Sequence, residues 1–451
     1  AATPTNARMP KGKPSTSKLV ELGGGDISIL SGRNIDGGVY YAERGLGSLL
    51  AGGSITTNST RSPSLGIITS LSSPVVLNSN TWLPTTLFLG KGGFDVQAAG
   101  DLLLGPVTNP FLLPAGIGDK FWYKTYFNTY SPDSYVNVTS LGGSITHRTE
   151  VTLQNETTGA KPMLQAWLQT QQLFKSTSAS NTQPWLRLNE TDVTPFATVL
   201  GLLPPVLRST AFSGDINLAG DITLFPSARG QIELISAGSI NGLQPTGLYT
   251  PSGTSAIVQG YVSSSVNLSD SDPLSIPRTI TPYSYQSLVG LSFTSLNVTG
   301  TGRGTGFLDF IDNKFAETGS TTGAAGVLQT KQALHDQGLL HLGDSDPVKL
   351  YALGGDIEGF TLFSPKATRV IAGNDITDVA LYLQNLSASD LSVVSAGRDL
   401  VPYNANTSAR VTANSAGNVT QSGETPSAGD IQISGPGTLQ VIAGRTIDLG
   451  T

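Results

Sequence analysis

Ala352-Leu353-Gly354-Gly355-Asp356-Ile357, Ala372-Gly373-Asn374-Asp375-Ile376, Ala396-Gly397-Arg398-Asp399-Leu400 and Ala443-Gly444-Arg445-Thr446-Ile447 are four copies of one phrase. A small residue leads into glycine, a polar residue follows, and an aliphatic residue closes it. Working outward, the phrase recurs at Gly25-Asp26-Ile27, Gly53-Ser54-Ile55, Gly100-Asp101-Leu102, Gly143-Ser144-Ile145, Gly214-Asp215-Ile216, Gly220-Asp221-Ile222 and Gly238-Ser239-Ile240. Gly417-Asn418-Val419 and Gly429-Asp430-Ile431 are later variants. Repetition of one turn-then-strand unit along a long chain points to stacking of coils, not to folding around one centre. Glycines 355, 373 and 397 are 18 and 24 residues apart, and glycines 417, 429 and 444 are 12 and 15 apart. Such intervals bracket one coil of a parallel β-helix, with Ile, Val and Leu stacked inward and turn residues outward. The expected fold is therefore all-β, a parallel β-helical solenoid with irregular insertions that contain a few short helices.

The phrase divides the chain. Residues 1–20 are rich in Pro, Lys, Ser and Thr and read as a linker or arm. Coils are expected over 21–105, 212–242 and 346–451, with insertion-rich regions at 106–211 and 243–345, all within one continuous solenoid. In the first insertion, apolar residues of Pro162–Phe174 fall on one helical face, and a second short helix can begin near Pro195. In the second, Val327–His341 reads as a modest helix.

Composition narrows the function. The 451 residues include 53 Gly, and only 13% are charged, about half the usual ~25%. A hydrophobic share of 38% is enough for a core. The net charge of −6 argues against nucleic acid as a partner. With no cysteine there are neither disulfides nor thiolate metal sites. No apolar run reaches the length of a membrane span, so membrane insertion is not expected. Solenoids carry polar caps, and a full repeat near the last residue reads as part of a longer fibre or as an end that meets another copy.

Longer phrases carry a resemblance. Leu202-Leu203-Pro204-Pro205-Val206-Leu207-Arg208 runs on to Phe212-Ser213-Gly214-Asp215-Ile216. Phe225-Pro226-Ser227-Ala228-Arg229-Gly230-Gln231-Ile232-Glu233-Leu234 and Asp346-Pro347-Val348-Lys349-Leu350-Tyr351-Ala352-Leu353-Gly354-Gly355-Asp356-Ile357 follow. With the Ala-Gly-Arg-Asp-Leu type repeat, these resemble the C-terminal or shaft region of filamentous haemagglutinin family exoproteins, over residue 22 to the end. The resemblance implies a right-handed β-helix on a two-partner-secreted, extracellular adhesin of the Gram-negative cell surface. It also implies an outer-membrane β-barrel transporter as a partner during export. The Asn-Pro-Asn signatures of the export-recognition domain are missing; Asn109-Pro110-Phe111 is the nearest approach. The family supplies no catalytic residues and no cofactor.

Site candidates are few. Asp26, Asp101, Asp215, Asp221, Asp356, Asp399 and Asp430 are read as structural turn residues, each carboxylate bonding its own backbone after Gly. The competing readings are stacked carboxylates that hold calcium, or an acid–base pair of a carbohydrate-active enzyme. Asp95 belongs to the same acidic set. The histidines are His147, His335 and His341, and His335-Asp336…His341…Asp344…Asp346 is read as a polar loop in preference to a metal site. No nucleophile elbow or phosphate loop is present, so no catalytic residue, metal or cofactor is assigned and the chain is read as a non-enzyme. Trp122, Tyr123, Tyr126, Phe127, Tyr130 and Tyr135 form the densest aromatic cluster and the candidate recognition surface for a glycan or cell-surface receptor. The expected function is structural and adhesive: a rigid rod for cell adhesion, biofilm or filament assembly, with end-to-end homo-assembly. The alternatives are a β-helix lyase or glycosidase and the stalk of a contact-dependent toxin.

Overall fold

The computed structural model describes residues 24–56, 67–70, 73–75, 85–109, 130–148, 202–270, 339–407, 410–411 and 430–448. They form a parallel β-helix of ten coils with three walls. The first wall is a ten-stranded parallel sheet: Ile27–Ser31, Leu46–Ala51, Gly93–Ala98, Tyr135–Ser140, Val206–Ala211, Gln231–Ser236, Val348–Ala352, Thr368–Ala372, Leu391–Ala396 and Thr438–Ala443. After each of these strands the chain turns through the glycine phrase into a short second-wall strand. A further bend leads to the third wall, as in Ile357–Ser364 and Ile376–Gln384, which serve both walls in one run.

The phrase works because its last residue always lands in the same place. Ile35, Ile55, Leu102, Ile145, Ile216, Ile240, Ile357, Ile376, Leu400 and Ile447 pair in unbroken register through all ten coils. All are buried except Ile447, which is 50% exposed on the last described coil. Each burial of an Ile or Leu contributes about 1.5–3 kcal/mol. The small residue that opens the phrase forms a second column, Ser31, Ala51, Ala98, Ser140, Ala211, Ser236, Ala352, Ala372, Ala396 and Ala443. At this corner two walls converge and only a methyl or hydroxymethyl group fits inside. Ahead of the two columns, alternation along the first wall sends every second side chain into the core, as in the buried Val136 and Val138 of Tyr135–Ser140.

The regions expected to be insertions are smaller than the sequence suggests. Tyr135–Ser140, Ile145–Arg148, Leu202–Leu203 and Val206–Ala211 are coil strands inside 106–211, and the second half of Val258–Leu268 is a third-wall strand inside 243–345. Apart from Ile145–Arg148, which follows Gly143-Ser144, these strands need only alternation and follow no glycine phrase. The chain departs from the stack chiefly at one corner, between second and third walls: after Thr56, Arg148, Asn241 and Val401. The departure after Asn241 is an antiparallel hairpin, Leu243–Tyr249 against Val258–Leu268. The arm at 1–20, the helical segments near 162–174 and 195, and Val327–Gly338 of the expected helix lie outside the described residues. Leu339–His341, the end of that last segment, lies in a turn closed by the Leu342 N–H onto the Leu339 carbonyl. Among the described residues no helix is long and apolar enough to cross a membrane.

Candidate functional site

The turn aspartates do not bond their own backbone. They bond the next coil. Asn34 Oδ1 accepts from the Ser54 N–H (2.9 Å) and Asp101 Oδ1 from the Ser144 N–H (2.8 Å). Ser144 Oγ accepts from the Asp215 N–H (3.0 Å), Asp215 Oδ1 from the Ser239 N–H (2.7 Å), and Ser239 Oγ from the Asp356 N–H (3.0 Å). Asp356 and Asp375 continue the ladder to Asp375 and Asp399. Ser and Asn substitute for Asp in this position because each offers the one thing required, a short side-chain oxygen aimed along the rod.

The phrase also serves other corners. Asp26 accepts from the Leu46 N–H at the entry to the first wall, and Asp221 from the Ser265 N–H at the entry to the third (both 2.8 Å). Burial raises the Asp221 carboxyl despite that N–H. Asp430 is a correction: it opens the third-wall strand Asp430–Ser434, opposite Ala380. Asp95 likewise lies within a wall, where Tyr135 Oη and Asn137 Nδ2 donate to it. With carboxylates spent on single N–H groups, no three metal-ligating side chains converge among the described residues. Where three aspartates fall on successive coils, arginine offsets their repulsion. Arg398 forks onto Asp375 (3.1 and 2.7 Å), and Arg445 pairs with Asp399.

Of the aromatic candidates, Trp122, Tyr123, Tyr126 and Phe127 lie outside the described residues. Tyr130 is buried edge-on against Phe225, with centroids 5.3 Å apart, and cannot serve as a surface ring; filling the corner buries more apolar area than a platform would. Tyr135 is partly buried on the first wall. His147 sits in the core with Nε2 2.7 Å from Ser209 Oγ, and burial pushes it down to about 4. His341 is buried too, its Nδ1 3.7 Å from Asp344 Oδ2, while Lys366 Nζ takes that same oxygen at 2.7 Å. Burial and then the Lys366 charge bring His341 down to about 4.

A surface feature emerges that the motif reading missed. The step from small residue to column aliphatic is five residues in three coils and four in the other seven. The longer turns are Ser140–Ile145, Ala211–Ile216 and Ala352–Ile357. Each places the residue after the small one, Leu141, Phe212 or Leu353, outside the corner at 47%, 63% and 63% exposure. Leu141 and Phe212 stand on adjacent coils, and Ala237 fills the coil between Phe212 and Leu353. The result is an apolar ridge along one edge of the rod. The unequal turn length is legible in the sequence once the columns are aligned.

A buried set of charges lies at another bend of the coil, between the second and third walls. Glu358 and Asp378 project outward from coils seven and eight, where Gly359 and Asp378 stack at the turn into the third wall with φ of 72° and 53°. The hairpin of coil six and the segment after Val401 in coil nine close over them. Arg410 Nη2 donates to Asp378 Oδ1 at 2.8 Å, both side chains fully buried. The guanidinium is sandwiched between the rings of Tyr261 (4.7 Å) and Tyr403 (4.4 Å). Tyr261 Oη donates to the Arg410 carbonyl, at 3.4 Å. Burial, with Asp378 and Asp356 nearby, raises Glu358 to about 7 against the opposing effects of Thr407 and Arg410.

No family model, curated protein or solved structure matches the chain. Its function is therefore read from these features: a laddered corner, an apolar ridge and a sealed ionic cluster.

Proposed function

We propose that the chain is a structural and adhesive segment of a secreted fibre on the Gram-negative cell surface, serving cell adhesion, biofilm or filament assembly. The main support is the aliphatic column that runs unbroken through ten coils, with a hydrogen-bonded ladder beside it. A stack tied coil to coil in this way is suited to carry load and to hold a surface at a distance from the cell. The ridge of Leu141, Phe212 and Leu353 offers an apolar edge for a glycan or cell-surface receptor. Export through an outer-membrane β-barrel, and membership of the filamentous haemagglutinin family, belong to the same proposal and rest on the quoted phrases.

Electron microscopy of the purified chain tests it. Rods are expected, with nine inter-coil steps of ~4.8 Å making about 43 Å of stacked wall, lengthening end to end at high concentration. Compact particles without an elongated axis would overturn the reading.

The second reading, a carbohydrate-active enzyme, draws on one pair, the raised Glu358 beside the arginine-paired Asp378. Both carboxyls are covered, so the structural reading stands first. Cleavage of a polysaccharide, lost in Asp378→Asn, would reverse that order.

A further inference from the structure

The cover over coils seven and eight ties together parts of the chain that lie far apart. Tyr261 arrives on the hairpin that leaves coil six. Tyr403, Thr407 and Arg410 arrive on the segment that leaves coil nine. Together they bracket four successive coils from outside, and their contact joins residues 149 positions apart in sequence.

Three observations bear on what keeps the bracket shut. First, among the described residues the charges inside it do not balance if every group is ionised. Arg410 is matched by Asp378 at 2.8 Å, which leaves a Glu358 carboxylate as an uncompensated buried negative charge. An uncompensated charge in such a place is opposed by the desolvation of the ion. Second, Glu358 continues an outward column of amides. Asn241 Nδ2 donates to Asn217 Oδ1 at 3.0 Å on one side, and Asn241 pairs with Glu358 in register on the other. Third, Asn241 Oδ1 and Glu358 Oε2 are both buried, and neither has a hydrogen-bond partner among the described residues. Even with the Thr407 hydroxyl turned toward Glu358, Asn241 Oδ1 on the adjacent rung is left without a donor, and a proton on Glu358 would supply it.

We propose that the bracket is operated by that proton: Glu358 is neutral when it is closed and donates to the side-chain oxygen of Asn241, and its ionisation opens the cover. The groups facing Glu358 set the direction. Asp356 and Asp378 on the walls disfavour its ionisation; Thr407 and Arg410 on the strap favour it; Tyr261 and Tyr403 contribute rings that exclude water. Burial dominates, so the carboxyl holds its proton up to about pH 7 and yields it above. An ionised Glu358 gains water only if the strap or hairpin lifts, which would bare Tyr261, Tyr403 and Arg410 along the rod while the coils beneath stay intact.

Hydrogen exchange on the full chain between pH 5.5 and 8.5, corrected for intrinsic rates, tests this. Amides of 258–264 and 401–407 should lose protection by about tenfold per pH unit between 5.5 and 7 and level off above 7, as a one-proton linkage requires. First-wall amides at 231–236 should not change. In Glu358→Gln, which cannot ionise, protection of both segments should be high and independent of pH. Protection in the original chain that ignores pH, or the same response in Glu358→Gln, would overturn the proposal. Should the variant fail to fold, the carboxyl can be followed directly by infrared spectroscopy of the unaltered chain. A neutral buried carboxyl that disappears with a midpoint near pH 7 is expected, and its absence at pH 5.5 would overturn the proposal.

Discussion

A glycine stands just ahead of most ladder side chains because nothing larger clears the coil below. A Cβ on Gly238 would lie 2.1 Å from Asp215 Oδ1, and one on Gly355 would lie 2.3 Å from Ser239 Oγ. The obstacle in each case is the ladder oxygen itself. Replacing either glycine by alanine therefore sacrifices a cross-coil hydrogen bond as well as space. Gly238→Ala and Gly355→Ala are expected to destabilise by about 1–3 kcal/mol, the usual range for overpacking. Gly25→Ala, where a Cβ meets nothing within 4 Å, should leave the urea midpoint unchanged. Equal effects at all three positions would show that the ladder is not what the glycines protect. In the last three coils Asn374, Arg398 and Arg445 occupy this position, and their side chains reach back to the preceding coil, Asn374 to the Gly354 carbonyl, Arg398 to Asp375 and Arg445 to Asp399.

At the scale of the element, one corner turn exists in two lengths with different consequences. The short turn, as in Ala372-Gly373-Asn374-Asp375-Ile376, presents only glycine and polar atoms outside. The long turn extrudes a large apolar residue that the next coil cannot cover. On the adhesive reading these residues are the contact surface, and their removal should not disturb the core. Phe212→Ser with Leu353→Ser is expected to retain the melting transition while lowering retention of the chain on cells several-fold. Unchanged retention would take the ridge out of the function. Loss of stability instead would mean that the ridge is part of the packing.

For the whole molecule, three buried titratable groups shape the response to pH. His147 and His341 fall from the ordinary 6.5 to about 4 in the folded chain. The unfolded chain binds more protons between those values, so stability from the two histidines is complete above about pH 6.5 and is lost as pH falls through about 4. Glu358 has the opposite sign. It rises from 4.5 to about 7, so its contribution is full below 4.5 and is lost as pH rises through about 7. Shifts of this size are each worth about 3 kcal/mol at full burial. Two histidines outweigh one carboxyl, so the urea midpoint should fall on acidification from pH 6.5 to 4. His147→Leu, which stacks between Leu104 and Leu218, should flatten that fall by roughly the share of one histidine, about 3 kcal/mol. A slope unchanged by the substitution would mean that His147 does not govern acid stability.

Much of this architecture is a nearest-neighbour property, and that is why the sequence alone determined it. A small residue, a glycine, a polar residue and an aliphatic one specify locally which side chain turns inward and where the chain bends. Repetition then dictates stacking, whatever intervenes between copies. The sequence could not show what lies across a coil. The aspartates appeared to serve their own turns because the partner, an N–H on the following coil, can be 20 or 43 residues away, as for Asn34 and Asp101. Nor could it distinguish a strand of Tyr135–Ser140 from an insertion, since wall strands carry no glycine signal. Only the tertiary structure decided that Tyr261, Glu358, Asp378 and Arg410 share one sealed space. Their meeting depends on two excursions that leave the same corner three coils apart and fold back over it, and no local pattern encodes where an excursion comes to rest.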